Sequence, residues 1–343
     1  MVKQFVQVVC ASLALVGGWA SADVTLNGAG ASFPAPMYNK FIQEYTRIRP
    51  GVKINYKSVG SGAGINALSE GTVDFGASDS PMKDEQIKKA SGGYIVHIPT
   101  VMGGVVPIYN IEGVNKPLNF TGPVLADIFL GKITKWNDPK IAQANAGVSL
   151  PDTAITVVHR SDGSGTTAIF TDYLSKVSPE WKAGVGNGTS VKWPADSSVG
   201  APQNDGVANT VQQTKGAIGY VELIYALSNN IPFGAMQNKA GKFVSASMES
   251  VSAAAGDLKD IPDDLRISIT NAYGDAAYPI SGLTWIIAYQ NQKDAAKGKA
   301  LVDFLNWLTT DGQTLAPALH YAPLPNGLLP KVQAQINSIK VSQ

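Results

Sequence analysis

The chain has 343 residues, more than one hydrophobic core usually organises, so two domains are the expectation. Apolar residues make up 44%, ample for a buried core, while charged residues are only 15% and the formal net charge is +1. Such a balance offers no phosphate-neutralising basic surface and argues against a nucleic-acid partner.

Residues 1–22 read as a secretory signal peptide. Lys3 supplies the positive start, Phe5 to Trp19 the apolar core, and Ala20-Ser21-Ala22 a small-residue cleavage site before Asp23. The apolar segment is too short and too interrupted by glycine to be expected to span a bilayer. A cut after Ala22 removes Lys3, leaving 26 basic and 26 acidic residues. It also removes the single cysteine, Cys10, so no disulfide, thiol chemistry or thiolate metal site is expected in the mature chain. Val9 stands before Cys10 where a lipoprotein anchor would call for a small residue. The expectation is a secreted, soluble protein without disulfides.

From Asp23 to about Thr100, short strands alternate with helices. Val24 to Leu26 is a strand candidate, followed by Asn27-Gly-Ala-Gly-Ala-Ser-Phe-Pro34. A helix carrying Tyr38, Phe41, Ile42 and Tyr45 at helical spacing runs to about Arg47. Val52 to Val59 alternates as a strand, and Gly60-Ser-Gly-Ala-Gly64 opens a short helix through Ile65 and Leu68. Thr72 to Ala77 reads as a buried strand ending in Ser78-Asp79-Ser80, with Pro81 expected in the first turn of a helix. Residues 94–110 form a long β-type run broken by Pro99 and Gly103-Gly104, and helical pieces lie around Gly122 to Leu130. Ser178 to Asp205 reads as loop-rich, Gly206 to Thr214 as helix and Ala217 to Val221 as strand. Residues 228–270 carry little pattern; Tyr278 to Tyr289 returns to a β run and Ala295 to Leu308 to a helix.

Alternating strands and helices predict an α/β fold with a parallel-rich sheet, whose ligands collect at the carboxyl ends of strands. The chain is expected to cross to a second lobe near residue 103 and return near residue 277. Lobe 1 would then be discontinuous, 23–102 and 278–343, with 103–277 as lobe 2 and a ligand cleft between them.

The stretch Ile155-Thr-Val-Val-His-Arg-Ser-Asp-Gly-Ser-Gly-Thr-Thr-Ala-Ile-Phe170 reads as strand, tight loop and helix. Such a loop aims backbone N–H groups and the positive end of a helix dipole at one point, which suits an anion. Arg160 adds a guanidinium, Asp162 stands where it can pair with that guanidinium, and Ser161, Ser164 and Thr166 add hydroxyls. The plainest alternative is a strand–helix connection whose Ser, Asp and Gly only cap. No Lys follows Gly165, so it is not a nucleotide P-loop, and Ser164 is not set in a Gly-x-Ser-x-Gly elbow. Ser32, Ser61 and Asp79 also sit just past predicted strands, so four strand-end loops carry hydroxyls or a carboxylate.

Metal and hydrolytic chemistry find little support. His97, His159 and His320 are isolated, without metal-ligand spacing, and no Ser–His pair is identifiable. Anion binding remains, with hydroxyls of Ser32, Ser61, Ser164 and Thr166 and the fork of Arg160 as donors. Asp79 is the misfit, because a carboxylate repels an anion unless the anion brings a proton. Phosphate at neutral pH carries one and sulfate does not, so Asp79 would select a protonated oxyanion.

These residues lie in stretches that resemble the phosphate-binding protein of bacterial phosphate-specific ABC transporters, the PstS type of periplasmic binding protein. The resemblance spans essentially the whole mature chain. It rests on Gly28-Ala-Gly-Ala-Ser-Phe-Pro-Ala-Pro36, Thr72-Val-Asp-Phe-Gly-Ala-Ser-Asp79 and Leu130-Gly-Lys-Ile-Thr-Lys-Trp136. It continues through Asp162-Gly-Ser-Gly-Thr166, Val191-Lys-Trp-Pro194 and Gly216-Ala-Ile-Gly-Tyr-Val-Glu222. It implies a two-lobed, type II-like binding-protein fold with a mixed, mostly parallel sheet in each lobe, closing on one phosphate. The implied contacts stand at Ser32, Phe33 (backbone), Ser61, Asp79, Arg160, Asp162, Ser164, Gly165 and Thr166. In that scheme Asp79 accepts the phosphate's proton and Asp162 orients Arg160. Ser32 stands where Thr is common and His159 where a second Arg is often seen. The implied partners are inorganic phosphate and a membrane-embedded ABC permease, with a monomer, no cofactor and no catalysis. A receptor for arsenate or sulfate and a phosphomonoesterase stay open as alternatives.

Overall fold

The computed structural model describes residues 23–342 except Asn115 and Asp257. The signal segment, Cys10 and the cut after Ala22 lie outside the described residues. Eight strands form the principal sheet: β1 (Val24–Gly30), β2 (Val52–Ser58), β3 (Phe75–Ser78), β4 (Ile95–Tyr109), β5 (Thr156–Arg160), β6 (Ser198–Ala201), β7 (Ala217–Glu222) and β8 (Ser281–Tyr289). Their order is β2-β1-β3-β8-β4-β7-β5-β6. β1 is parallel to β2 and β3, and β5 is parallel to β6 and β7. Antiparallel pairs, β3–β8, β8–β4 and β4–β7, join these two parallel groups.

β4 holds the two groups together. All fifteen of its residues are buried, which is why its sequence is a continuous apolar run rather than an alternation. Residues 95–104 pair with β8 and residues 105–109 with β7, so the two parallel groups share one strand.

Helices cover the faces of both groups. α1 (Ala35–Ile48) buries Met37, Tyr38, Phe41 and Tyr45, the three-and-four spacing read from the sequence. Tyr45 packs on Phe304 and Trp307 of the helix Ala295–Thr309, with ring centroids 5.0 and 5.3 Å apart. On the other side, Phe170 of α3 (Gly165–Val177) stacks on Tyr220 of β7 at 4.2 Å. α2 (Ser61–Ser69) follows β2, and α4 (Gln203–Gln213) follows β6.

Several elements differ from their expected bounds. The helix expected to start at Pro81 begins at Asp84 after an extended Lys83, so Pro81 lies outside its first turn. The loop-rich reading of 178–205 missed the helix Pro179–Gly184 and the short strand β6, whose Ser-Val-Gly-Ala carries no apolar alternation. α4 begins three residues ahead of Gly206, directly after Pro202.

Candidate functional site

Parallel pairing decides where the polar residues meet. Gly30 of β1 lies opposite Ser58 of β2 and Ala77 of β3, so the three strands end at one edge of the sheet. The residues that follow, Ser32, Ser61 and Asp79, are therefore neighbours there. Arg160 is the last residue of β5, within the strand rather than in the loop after it. Ser164 then caps α3, its Oγ accepting the Thr167 N–H at 3.0 Å, so the capping alternative holds for this hydroxyl.

The loops from the two parallel groups touch. The N–H of Gly62 donates to the carbonyl of Gly163 at 2.9 Å. Ser61 Oγ accepts the N–H of Asp79 at 3.3 Å and that of Gly165 at 3.0 Å, one from each side. Gly165 presses on Asp79 so closely that a Cβ there would lie 2.6 Å from both the Asp79 backbone nitrogen and its Cβ. Gly60 has a φ of +91°, and a Cβ on it would meet Asp162 Oδ2 at 2.3 Å. Glycine is required at both positions by close approach.

Arg160 is buried, and its fork is fixed. Nε and Nη2 donate to the two oxygens of Asp162 at 2.7 and 2.5 Å, and Nη1 donates to Thr166 Oγ1 at 3.5 Å. Burial works to raise the Asp162 carboxyl, but the Arg160 hydrogen bonds and charge, with the Gln203 N–H, hold it below the usual range. Asp162 thus stays ionised and orients the guanidinium.

Asp79 is the opposite case. It is 3% exposed, and burial lifts its carboxyl to about 7 against the opposing pull of the Thr284 hydroxyl, the Arg160 charge and the Ser61 hydroxyl. Thr284, in the middle of β8, donates to Asp79 Oδ1 at 2.8 Å. Glu222 is buried and its carboxyl is raised well above the usual range, chiefly by burial. Its side chain caps the helix Leu223–Ser228 by accepting the Ile224 N–H at 2.8 Å.

The structure brings together Ser32, Ser61, Asp79, Arg160, Asp162, Gly165 and Thr166, with Ser164 as the cap beside them. Phe33 follows Ser32, with its ring buried and its carbonyl accepting the Tyr321 hydroxyl at 2.6 Å. Sequence reasoning missed Asn204, which is fully buried and donates to both Ser32 and Thr166. It also missed Thr284, and the Tyr225 hydroxyl that donates to the Ser32 carbonyl at 2.5 Å. Pro202 before a polar helix start was the available signal for Asn204; a hydroxyl within the otherwise apolar stretch Leu283 to Ala288 of β8 was the signal for Thr284.

His97 is not free for metal or acid–base work, because its Nε2 accepts the Met82 N–H at 3.0 Å. Among the described residues no group of three or more His, Cys, Asp or Glu side chains is placed to hold a metal ion. No helix among them is long and apolar enough to cross a membrane.

A sequence profile of the PBP superfamily domain matches residues 16–312. The phosphate-binding protein PstS of Xylella fastidiosa (strain Temecula1 / ATCC 700964) is 49% identical over 314 residues, covering 91% of this chain and 85% of that protein. PstS of Pasteurella multocida (strain Pm70) is 46% identical over 313 residues, covering 91% and 89%. Among solved structures, a high-affinity periplasmic phosphate-binding protein (PfluDING) determined with phosphate bound aligns over 91% of this chain and 93% of its own. Its TM-score of 0.73 at 22% identity shows a shared fold.

Proposed function

We propose that this chain, which belongs to the PstS family of phosphate-binding proteins within the PBP superfamily, binds inorganic phosphate between two lobes and delivers it to an ABC permease from the periplasm. The lobes are 23–102 with 278–343, and 103–277, joined where β4 passes from one to the other. Phosphate is held by the hydroxyls of Ser32, Ser61, Ser164 and Thr166, the backbone at Phe33 and Gly165, and the Arg160 fork that Asp162 orients. Asp79 accepts the proton that the anion carries.

One observation carries this reading. A carboxyl 3% exposed, lifted to about 7, stands within a ring of hydroxyl and N–H donors and one clamped guanidinium. A fully deprotonated oxyanion would face Asp79 with two repelling charges in a site of low dielectric, which is expensive. Hydrogen phosphate avoids that cost by sharing its proton with Asp79. Binding draws Ser61 and Asp79 against Gly165, so phosphate favours the closed arrangement by its greater affinity for it.

Titration calorimetry tests this directly. Phosphate is expected to bind, arsenate to compete because it also carries a proton near neutral pH, and sulfate to bind far more weakly. Absence of phosphate binding, or equal binding of sulfate, would refute it. A phosphomonoesterase gains nothing from the geometry: the Ser61 and Ser164 oxygens receive backbone N–H bonds, and no imidazole is among their partners.

A further inference from the structure

A hydroxyl has one proton to give and two lone pairs to fill, so the N–H groups aimed at its oxygen decide where its proton can go. Asn204, the second residue of α4, is fully buried, and its amide orientation is determined by its partners. The N–H of Glu222 points at one end of the amide at 2.9 Å, and since an N–H can only donate, that end is Oδ1. The NH2 group therefore faces the site, donating to Ser32 Oγ at 2.9 Å and to Thr166 Oγ1 at 3.1 Å.

Each of those oxygens receives a second N–H. Ser32 Oγ also accepts the backbone N–H of Asn204 at 3.2 Å, and Thr166 Oγ1 accepts Arg160 Nη1 at 3.5 Å. Both lone pairs on both oxygens are occupied, so both hydroxyl protons must be given elsewhere. Ser61 reaches the same state through backbone alone, accepting the N–H groups of Asp79 and Gly165. Asn204 has itself spent both amide protons and has none left for a ligand.

We propose that Asn204 is a positioning residue that never touches the anion but locks the Ser32 and Thr166 hydroxyls as donors, one from each lobe. With Ser61 already locked, these three hydroxyls present only protons, and Asp79 is left as the charged acceptor for the anion's single proton. Asn204 thereby determines specificity: it fixes which face of a tetrahedral anion can carry hydrogen. This rests on the phosphate reading above.

The test is a double-mutant cycle read by calorimetry on the full mature chain, with thermal melts to show that each variant folds. Asn204→Asp keeps the shape but presents acceptor oxygens, which turn the two hydroxyl protons away from the anion. Phosphate affinity is expected to fall about a hundredfold, roughly tenfold for each hydroxyl donor lost. In a Ser32→Ala background, where one of those donors is already gone, the same change is expected to cost only about tenfold. Loss of affinity through charge repulsion or a loosened fold would not shrink in that background. An N204D loss below about threefold, or one unchanged by Ser32→Ala, overturns the assignment.

Should N204D fail to fold, Asn204→Ala replaces it. A loss of about fivefold is expected, shrinking to within about twofold when Ser32→Ala and Thr166→Val are already present; an unshrunk loss overturns the role. A wild type that binds no phosphate removes this role and the functional reading together. A wild type that binds, with additive variants, removes only the role of Asn204.

Discussion

Replacing Asp79 with Asn isolates the electrostatic cost of keeping a carboxyl in the site. Burial moves this group from its ordinary 3.8 to about 7. Ionising it therefore costs about 4 kcal/mol more in the folded chain than in the unfolded one. The sign follows from who holds the proton. Between about pH 4 and pH 7 the folded chain keeps a proton that the unfolded chain has released, so stability falls as pH rises. The penalty is complete above about pH 7.

Asn keeps the acceptor for the Thr284 hydroxyl and carries no such penalty. Urea denaturation in phosphate-free buffer is the assay, and the quantity to plot is D79N stability minus wild-type stability. That difference should rise from its value near pH 4 by up to about 4 kcal/mol near pH 8. The subtraction matters because other buried groups titrate in the same range and cancel from it. The variant should also lose most of its preference for phosphate over sulfate, since no carboxylate then repels the unprotonated anion. Parallel stability curves for the two proteins would show that Asp79 ionises freely and would refute the reasoning.

Three further outcomes follow from the same geometry. His97, 2% exposed, is pushed down to about 4 by burial, with the Arg266 charge adding to the effect; it binds fewer protons folded than unfolded up to about pH 6.5, so it contributes stability that is lost on acidification. His97→Gln, which keeps an acceptor for Met82, should flatten the acid limb of the urea curve by up to about 3 kcal/mol. Gly165→Ala places a methyl 2.6 Å from Asp79 backbone, which cannot yield as a flexible side chain could; calorimetry should show phosphate affinity lower by about tenfold or more, with the melting temperature shifted only slightly. Arg160→Lys keeps the charge but loses the fork that Asp162 grips with two hydrogen bonds, and phosphate affinity should fall about a hundredfold while the chain stays folded.

The residues that sequence exposed and those it hid differ in a physical way. Ser32, Ser61, Asp79 and the 160–166 loop were legible because each follows a strand, and a strand-end loop rich in glycine and hydroxyls is a local signal. β4 was legible because fifteen buried residues leave an unmistakable apolar run. Asn204 and Thr284 act through partners far along the chain, Ser32 and Asp79, 172 and 205 residues away. Pro202 marks a helix start, but nothing local tells which polar residue there reaches partners so far along the chain. β6 was illegible for a related reason, since its four residues mix exposed and buried positions without a period.

On the proposed reading, binding and selectivity come from different places, yet one contact joins them. The 160–166 loop then supplies charge and donors, whereas Asp79 supplies a buried carboxyl that burial pushes towards its neutral form. Gly165, the first residue of α3, lies directly against Asp79, and Ser61 Oγ accepts an N–H from each. Separating the loops would admit water to Asp79 and remove the burial that raises its carboxyl. Closure and proton retention are thus thermodynamically linked, and each must favour the other by the same free energy. An anion that brings a proton stabilises the closed form twice, by filling the donors and by neutralising Asp79. One that brings none gains the first term and forfeits the second.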